Sequence, residues 1–126
     1  MIIEAMKGRR VLVVEDESLV AMLLETILED MGCTPVGPAS NIDDGLAMAT
    51  SEPDLSAALL DVNVAGRPVF PVAEALKARG IPFIFSTGYG EGGLPDEWRG
   101  HTTIQKPFTE DAIRQALTAA MKVSAV

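Results

Sequence analysis

The stretch RVLVVEDE, residues 10–17, joins an uninterrupted β-branched run to three consecutive acids. Continuous Val and Leu suit a strand buried on both faces, as in a parallel sheet covered by helices. Acids directly after such a strand lie at its carboxyl end, where open α/β sheets bind their ligands. One short segment therefore implies both an architecture and the place of its chemistry.

The flanking chain alternates in the same sense. SLVAMLLETILEDMG (18–32) carries Val20, Leu23, Leu24, Ile27, Leu28 and Met31 at helical spacing, with Ser18 as the expected N-cap and Gly32 as the stop. CTPVGP (33–38) reads as a short strand whose Pro35 suits a sheet edge. A short helix follows, capped by Asn41, with Ile42, Leu46 and Ala49 facing inward. SAALL (56–60) is a third strand ending at Asp61, and a helix over 70–79 is closed by Gly80 and Pro82. PFIFS (82–86) and HTTIQ (101–105) supply two more strands. The last helix opens at Thr109, with Glu110 and Asp111 in its first turn and Ile113, Ala116, Leu117, Ala120 and Met121 as its apolar stripe. This alternation predicts an α/β fold, a doubly wound five-stranded parallel sheet in the order 2-1-3-4-5.

One helix is missing from the pattern. TGYGEGGLPDEWRG (87–100) contains five glycines in fourteen residues. Each glycine costs about 1 kcal/mol in a helix interior and Pro95 about 3 kcal/mol more, so a flexible loop is expected in place of the fourth helix. Residues 1–7 read as a tail and 8–126 as one domain.

The chain has 126 residues and a formal charge of −8, which disfavours nucleic acid and anionic membranes as partners. A single cysteine, Cys33, allows no internal disulfide and suits a reducing compartment. Neither a signal peptide nor a membrane span is apparent, so a cytoplasmic location is expected.

At the strand ends stand Glu15, Asp16 and Glu17, then Asp61, then Ser86 and Thr87, and finally Lys106. In the expected strand order the first and third strands are neighbours, so Glu15, Asp16 and Asp61 converge. Like charges this close oppose one another's ionisation, and a divalent cation relieves the conflict. Magnesium, which takes one or two carboxylates plus water and phosphate oxygens, matches the supply. Lys106 and Thr87 provide a cation and a hydroxyl for a phosphoryl group, leaving Asp61 as the nucleophile. Glu17 reads instead as service to a helix N-terminus.

Taken together, VLVVEDE, LLDVN, FSTG and QKPF resemble the receiver domains of two-component response regulators, over about residues 9–121. The resemblance implies a flavodoxin-like fold. It implies that Asp61 accepts a phosphoryl group from a histidine of a sensor kinase or of a phosphotransfer protein, and that Asp16, Asp61 and the Asn63 carbonyl hold Mg2+, with Glu15 acting through water. Thr87 and Lys106 would contact the phosphoryl group, the backbone of Val62, Asn63 and Gly88 would line its site, and the Lys106–Pro107 bond would be cis. PFIFSTGYG further resembles the "FAT GUY" receivers, with Ser86 in place of alanine. Members of that subfamily pair with kinases of the HWE and related classes, and a mobile segment replaces their fourth helix.

Gly88, Gly90 and Gly93 also fit G-x-G-x-x-G, but LPDEW follows where a dinucleotide turn would open a helix. Most receivers carry an aromatic switch residue where this chain has Thr103; Tyr89 and Trp98 are the candidates to replace it in a switch loop that includes Gly90, although partial burial is the expected role of Trp98. His101 is a lone histidine at a strand start, with no ligand partner in sequence. The expected function is a stand-alone phosphoacceptor with self-phosphorylation and self-dephosphorylation only, rather than a turnover enzyme. It would signal to a protein partner or act as a phosphate sink. The alternatives are a small aspartyl-phosphate phosphohydrolase and a phosphorylation-independent adaptor.

Overall fold

The computed structural model describes residues 6–88, 94–106 and 108–121. In chain order the elements are β1 (Arg10–Val14), α1 (Ser18–Asp30), β2 (Thr34–Ala39), α2 (Ile42–Ser51), β3 (Leu55–Asp61), β4 (Asn63–Val64), β5 (Arg67–Pro68), α3 (Phe70–Ala78), β6 (Phe83–Thr87), a 3-10 turn (Asp96–Trp98), β7 (Thr103–Gln105) and α4 (Glu110–Met121). Five strands form one parallel sheet in the order β2-β1-β3-β6-β7, the doubly wound arrangement expected from the alternation. The small β4–β5 hairpin follows Asp61.

Strand alternation divides the core into two layers. Leu12, Val14, Leu60 and Phe85 pack on one face with Ile42 and Ala49 of α2 and Val72, Ala73 and Leu76 of α3. Val11, Val13, Leu59, Ile84 and Ile104 pack on the other with Leu24, Ile27 and Leu28 of α1 and Ile113, Ala116 and Leu117 of α4. Met6, assigned by sequence to the tail, is fully buried in this second layer.

Several boundaries move. β2 runs one residue later than expected and β3 takes in Asp61, whereas the last strand shrinks to Thr103–Gln105 and leaves His101 outside it. The expected Ser18 cap is also corrected. Ser18 is the first helical residue, and Glu17 occupies the cap position without a side-chain cap bond, while its N–H donates to Glu15 Oε2 at 3.2 Å. Leu23 does not join the buried stripe of α1: it is 47% exposed, and Ala21 is buried in its place. Six apolar residues in a row, Leu19 to Leu24, give periodicity little to choose between.

Asn41 does cap α2. Its Oδ1 accepts the Asp44 N–H at 2.8 Å, while its amide donates to the Asp44 carboxylate at 3.0 Å. Asn41→Ala is expected to cost about 1 kcal/mol, read from the urea midpoint.

Where a fourth helix would lie, the described residues show only the 3-10 turn Asp96–Trp98; residues 89–93 lie outside the described part. Trp98 is 2% exposed, stacked on Phe70 at 5.7 Å and edge-on to Phe85 at 5.8 Å, with Lys77 Nζ 5.8 Å from its ring centre. His101 stacks on Phe83 at 5.1 Å. These rings build a wall behind β6, and Trp98, which sequence reading left in a loop, stands at its centre. No helix among the described residues is long and apolar enough to cross a membrane.

Candidate functional site

The parallel sheet brings β1 and β3 side by side, and their ends deliver the acids. One ligand atom from each of Glu15, Asp16 and Asp61 lies within 4.8 Å of the others. Glu15 and Asp61 are buried and Asp16 is exposed at the rim. Lys106 reaches in from the end of β7, its Nζ 3.0 Å from Asp61 Oδ2 and 3.2 Å from Glu15 Oε1. The contact with Asp61 is a hydrogen bond, whereas the Glu15 approach is an ion pair by distance only and leaves buried Oε1 without a donor.

These surroundings set the protonation of the site. Burial, and then the charge of Asp61, push Glu15 from 4.5 to about 7, against the Glu17 N–H and the Lys106 ammonium. Burial alone would lower Lys106, but hydrogen bonding and charge from Asp61, followed by Glu15, raise it above its ordinary value. With all groups ionised, three carboxylates face one ammonium, leaving two negative charges uncompensated. A divalent cation fits that imbalance, and Glu15 Oε1 is a buried oxygen lacking a donor.

Asp16 has a second task that sequence reading missed. Its Oδ2 accepts the N–H of Ala65 at 3.0 Å. Ala65 and Gly66 have φ of 51° and 83°, the two left-handed positions of a primed hairpin turn between β4 and β5. The acid thus ties the loop after Asp61 to the end of β1. Asn63 is exposed, and its N–H turns back to Asp61 Oδ1 at 3.4 Å.

Val62 is a correction. Its N–H already donates to the Ser86 carbonyl at 3.1 Å, so in this arrangement it is not available to a phosphoryl group. The signal was the parallel pairing of β3 with β6, which engages the residue after Asp61. Thr87 is buried at the end of β6, where its carbonyl accepts the Lys106 N–H at 2.9 Å. Gly88 follows, and a Cβ there would meet nothing within 4 Å, so space remains beside Thr87. Tyr89, Gly90 and Pro107 lie outside the described residues. Trp98 sits in the core behind β6, and His101 and Cys33 belong to no metal-ligating group among the described residues.

A model of the response regulator receiver domain matches residues 11–118. The chain belongs to that family. This receiver is 29% identical over 114 residues to the phyllosphere-induced regulator PhyR of Methylorubrum extorquens, covering 88% of this chain but 43% of PhyR. It therefore spans less than half the length of that curated relative. The solution structure of SdrG from Sphingomonas melonis Fr1 is 44% identical, with a TM-score of 0.81 over 92% of this chain and 98% of SdrG. The BeF3-activated conformation of SdrG from Pseudomonas melonis Fr1 is 43% identical, with a TM-score of 0.76 over 89% of this chain and 95% of that one.

Proposed function

We propose that this receiver is a magnesium-dependent phosphoacceptor in which Asp61 takes a phosphoryl group from a histidine kinase. The observation that carries the reading is the Lys106 ammonium lying against both Asp61 and Glu15 in the crevice that Asp16 closes. An Asp61 carboxylate oxygen attacks the phosphorus of a phosphohistidine, the P–O bond forms as the P–N bond breaks, and the imidazole leaves. Lys106 is held where charge on a phosphoryl oxygen must be balanced, and buried Thr87 lies beside it to offer its hydroxyl. Asp16, Asp61 and the Asn63 carbonyl would hold Mg2+, with Glu15 behind them; the ion would supply charge neutralisation for the incoming phosphoryl group. Water then attacks the phosphorus and returns the Asp61 carboxylate, so the protein turns over only its own phosphoryl group. The existence of a BeF3-activated form of SdrG, 43% identical, supports this chemistry.

The pattern FSTGY at the end of β6 and the absence of α-helix from the described part of residues 87–100 support placement among the "FAT GUY" receivers. HWE-class kinases are then the phosphodonors of choice, and the phosphorylated form acts on a cytoplasmic protein partner or as a phosphate sink. In the direct test, the protein is incubated with acetyl phosphate and Mg2+ and its intact mass is followed. A gain of one phosphoryl group, suppressed by EDTA, is expected; no gain would overturn the reading.

An apolar surface beside the crevice supports an approach for the kinase. Leu19, Met22 and Leu23 of α1 are 81%, 60% and 47% exposed. Leu23, Val20 and Phe108 line a cavity of about 350 Å³ that also touches Glu17 and Lys106, so the surface runs into the crevice. A kinase helical bundle seated there would bring its histidine to Asp61. Leu23→Glu is expected to slow transfer from an autophosphorylated HWE-class kinase at least about tenfold. Labelling by acetyl phosphate should not change; an equal loss in both assays would dismiss the surface as a docking site.

A further inference from the structure

Ser86 is buried at 2% exposure, and its hydroxyl oxygen has no hydrogen-bond partner. A buried hydroxyl left this way is costly, so its position calls for a reason. Register supplies one. Ser86 stands opposite Asp61 on β3 and opposite Ile104 on β7. Residues in register on neighbouring strands share a face, and Leu59, Ile84 and Ile104 all pack in the layer with α1 and α4. Ser86 therefore presents its side chain to that layer, between Asp61 and the strand that carries Lys106.

Lys106 must cross this position. It starts at the end of β7, yet its Nζ hydrogen-bonds Asp61 on β3, with β6 lying between. The two strand spacings amount to about 10 Å, so the lysine stem and the Asp61 side chain must reach toward each other across β6. We propose that Ser86 is a positioning residue for Lys106. Its small side chain floors the path of the stem, and its oxygen is the neutral acceptor that keeps the ammonium over the crevice when Asp61 is esterified. An ammonium has three donors. Asp61 accepts one of them, and Glu15 Oε1 lies near without completing a hydrogen bond, so donor capacity is left for Ser86.

The inference rests on the phosphoacceptor reading for its consequence, but its geometry can be tested separately. In the metal-free, unphosphorylated protein, the 15N resonance of the Lys106 ammonium is compared among wild type, Ser86→Ala, Ser86→Thr and Ser86→Val. Ser86→Val should shift that resonance and speed its proton exchange, because bulk is added in the path of the stem, whereas Ser86→Ala, which removes an oxygen without a hydrogen-bond partner in this state, should shift it less. Ser86→Thr, which keeps the hydroxyl, should behave better than Ser86→Val. Labelling by acetyl phosphate should fall roughly tenfold in Ser86→Ala, the size expected for one hydrogen bond to a charged group, with Mg2+ affinity unchanged. In a Lys106→Ala background the same substitution should cost nothing further. An unmoved Lys106 resonance in Ser86→Val, or an undiminished loss on Ser86→Ala in the Lys106→Ala background, would overturn the proposal. If wild type takes up no phosphoryl group, it is the phosphoacceptor reading that fails, and the ammonium resonance still decides the role of Ser86.

Discussion

Replacing Asp61 with asparagine is expected to abolish phosphoryl uptake while leaving a folded protein of nearly unchanged stability. The amide has almost the same shape, but its oxygen is not an anionic nucleophile and cannot form the acyl phosphate. Two electrostatic consequences oppose each other in the fold. Lys106 loses its hydrogen-bonded carboxylate, while Glu15 loses the like charge that ranks second among the causes of its raised pKa. Their near cancellation keeps the stability change within about 1 kcal/mol. Intact mass spectrometry after acetyl phosphate treatment should show no gain at any time, and urea unfolding should give a midpoint close to wild type. A mass gain retained by the variant would place the phosphoryl group on another side chain.

The second large effect concerns pH and metal. Glu15 is raised from 4.5 to about 7 by burial and then by Asp61, so the folded state favours its protonated form. That contribution is fully present below 4.5 and is lost as pH rises through about 7. Through this group alone, the metal-free protein should be roughly 3 kcal/mol less stable at high pH than at low pH. Urea unfolding in EDTA across that window measures the slope, and Glu15→Gln should flatten it. Magnesium should reverse the loss, because a cation bound only by the folded state adds about 2.7 kcal/mol at a hundred times its dissociation constant. The variant should gain less from magnesium than wild type does. A metal-free stability that rises through the same window, with no response to magnesium, would remove the basis for a cation site.

Much of this was legible because its signals are local. RVLVV, SAALL and PFIFS could be recognised as buried parallel strands, and their alternation with amphipathic helices led to the observed sheet order. The acids were found by the same reasoning, since a residue directly after such a strand lies at the carboxyl end. Glu15, Asp16 and Asp61 gather there as expected. The last strand was overdrawn, because β propensity in HTTIQ says nothing of how far β6 can pair with it. Helix α1 was turned slightly wrong, because a run apolar at every position carries no phase.

By itself, then, the sequence determined the order of elements and which side chains reach the carboxyl edge of the sheet, since both follow from short-range periodicity. Tertiary structure decided how those side chains pair. It bonded the Val62 N–H to the Ser86 carbonyl, gave Asp16 the Ala65 turn to hold, and sank Trp98 among the rings of Phe70 and Phe85. It also carried Lys106 across β6 to Asp61. Each of these contacts joins residues far apart in the chain or on different strands. Their partners are chosen by strand register and by the space left between packed layers, which no local pattern encodes.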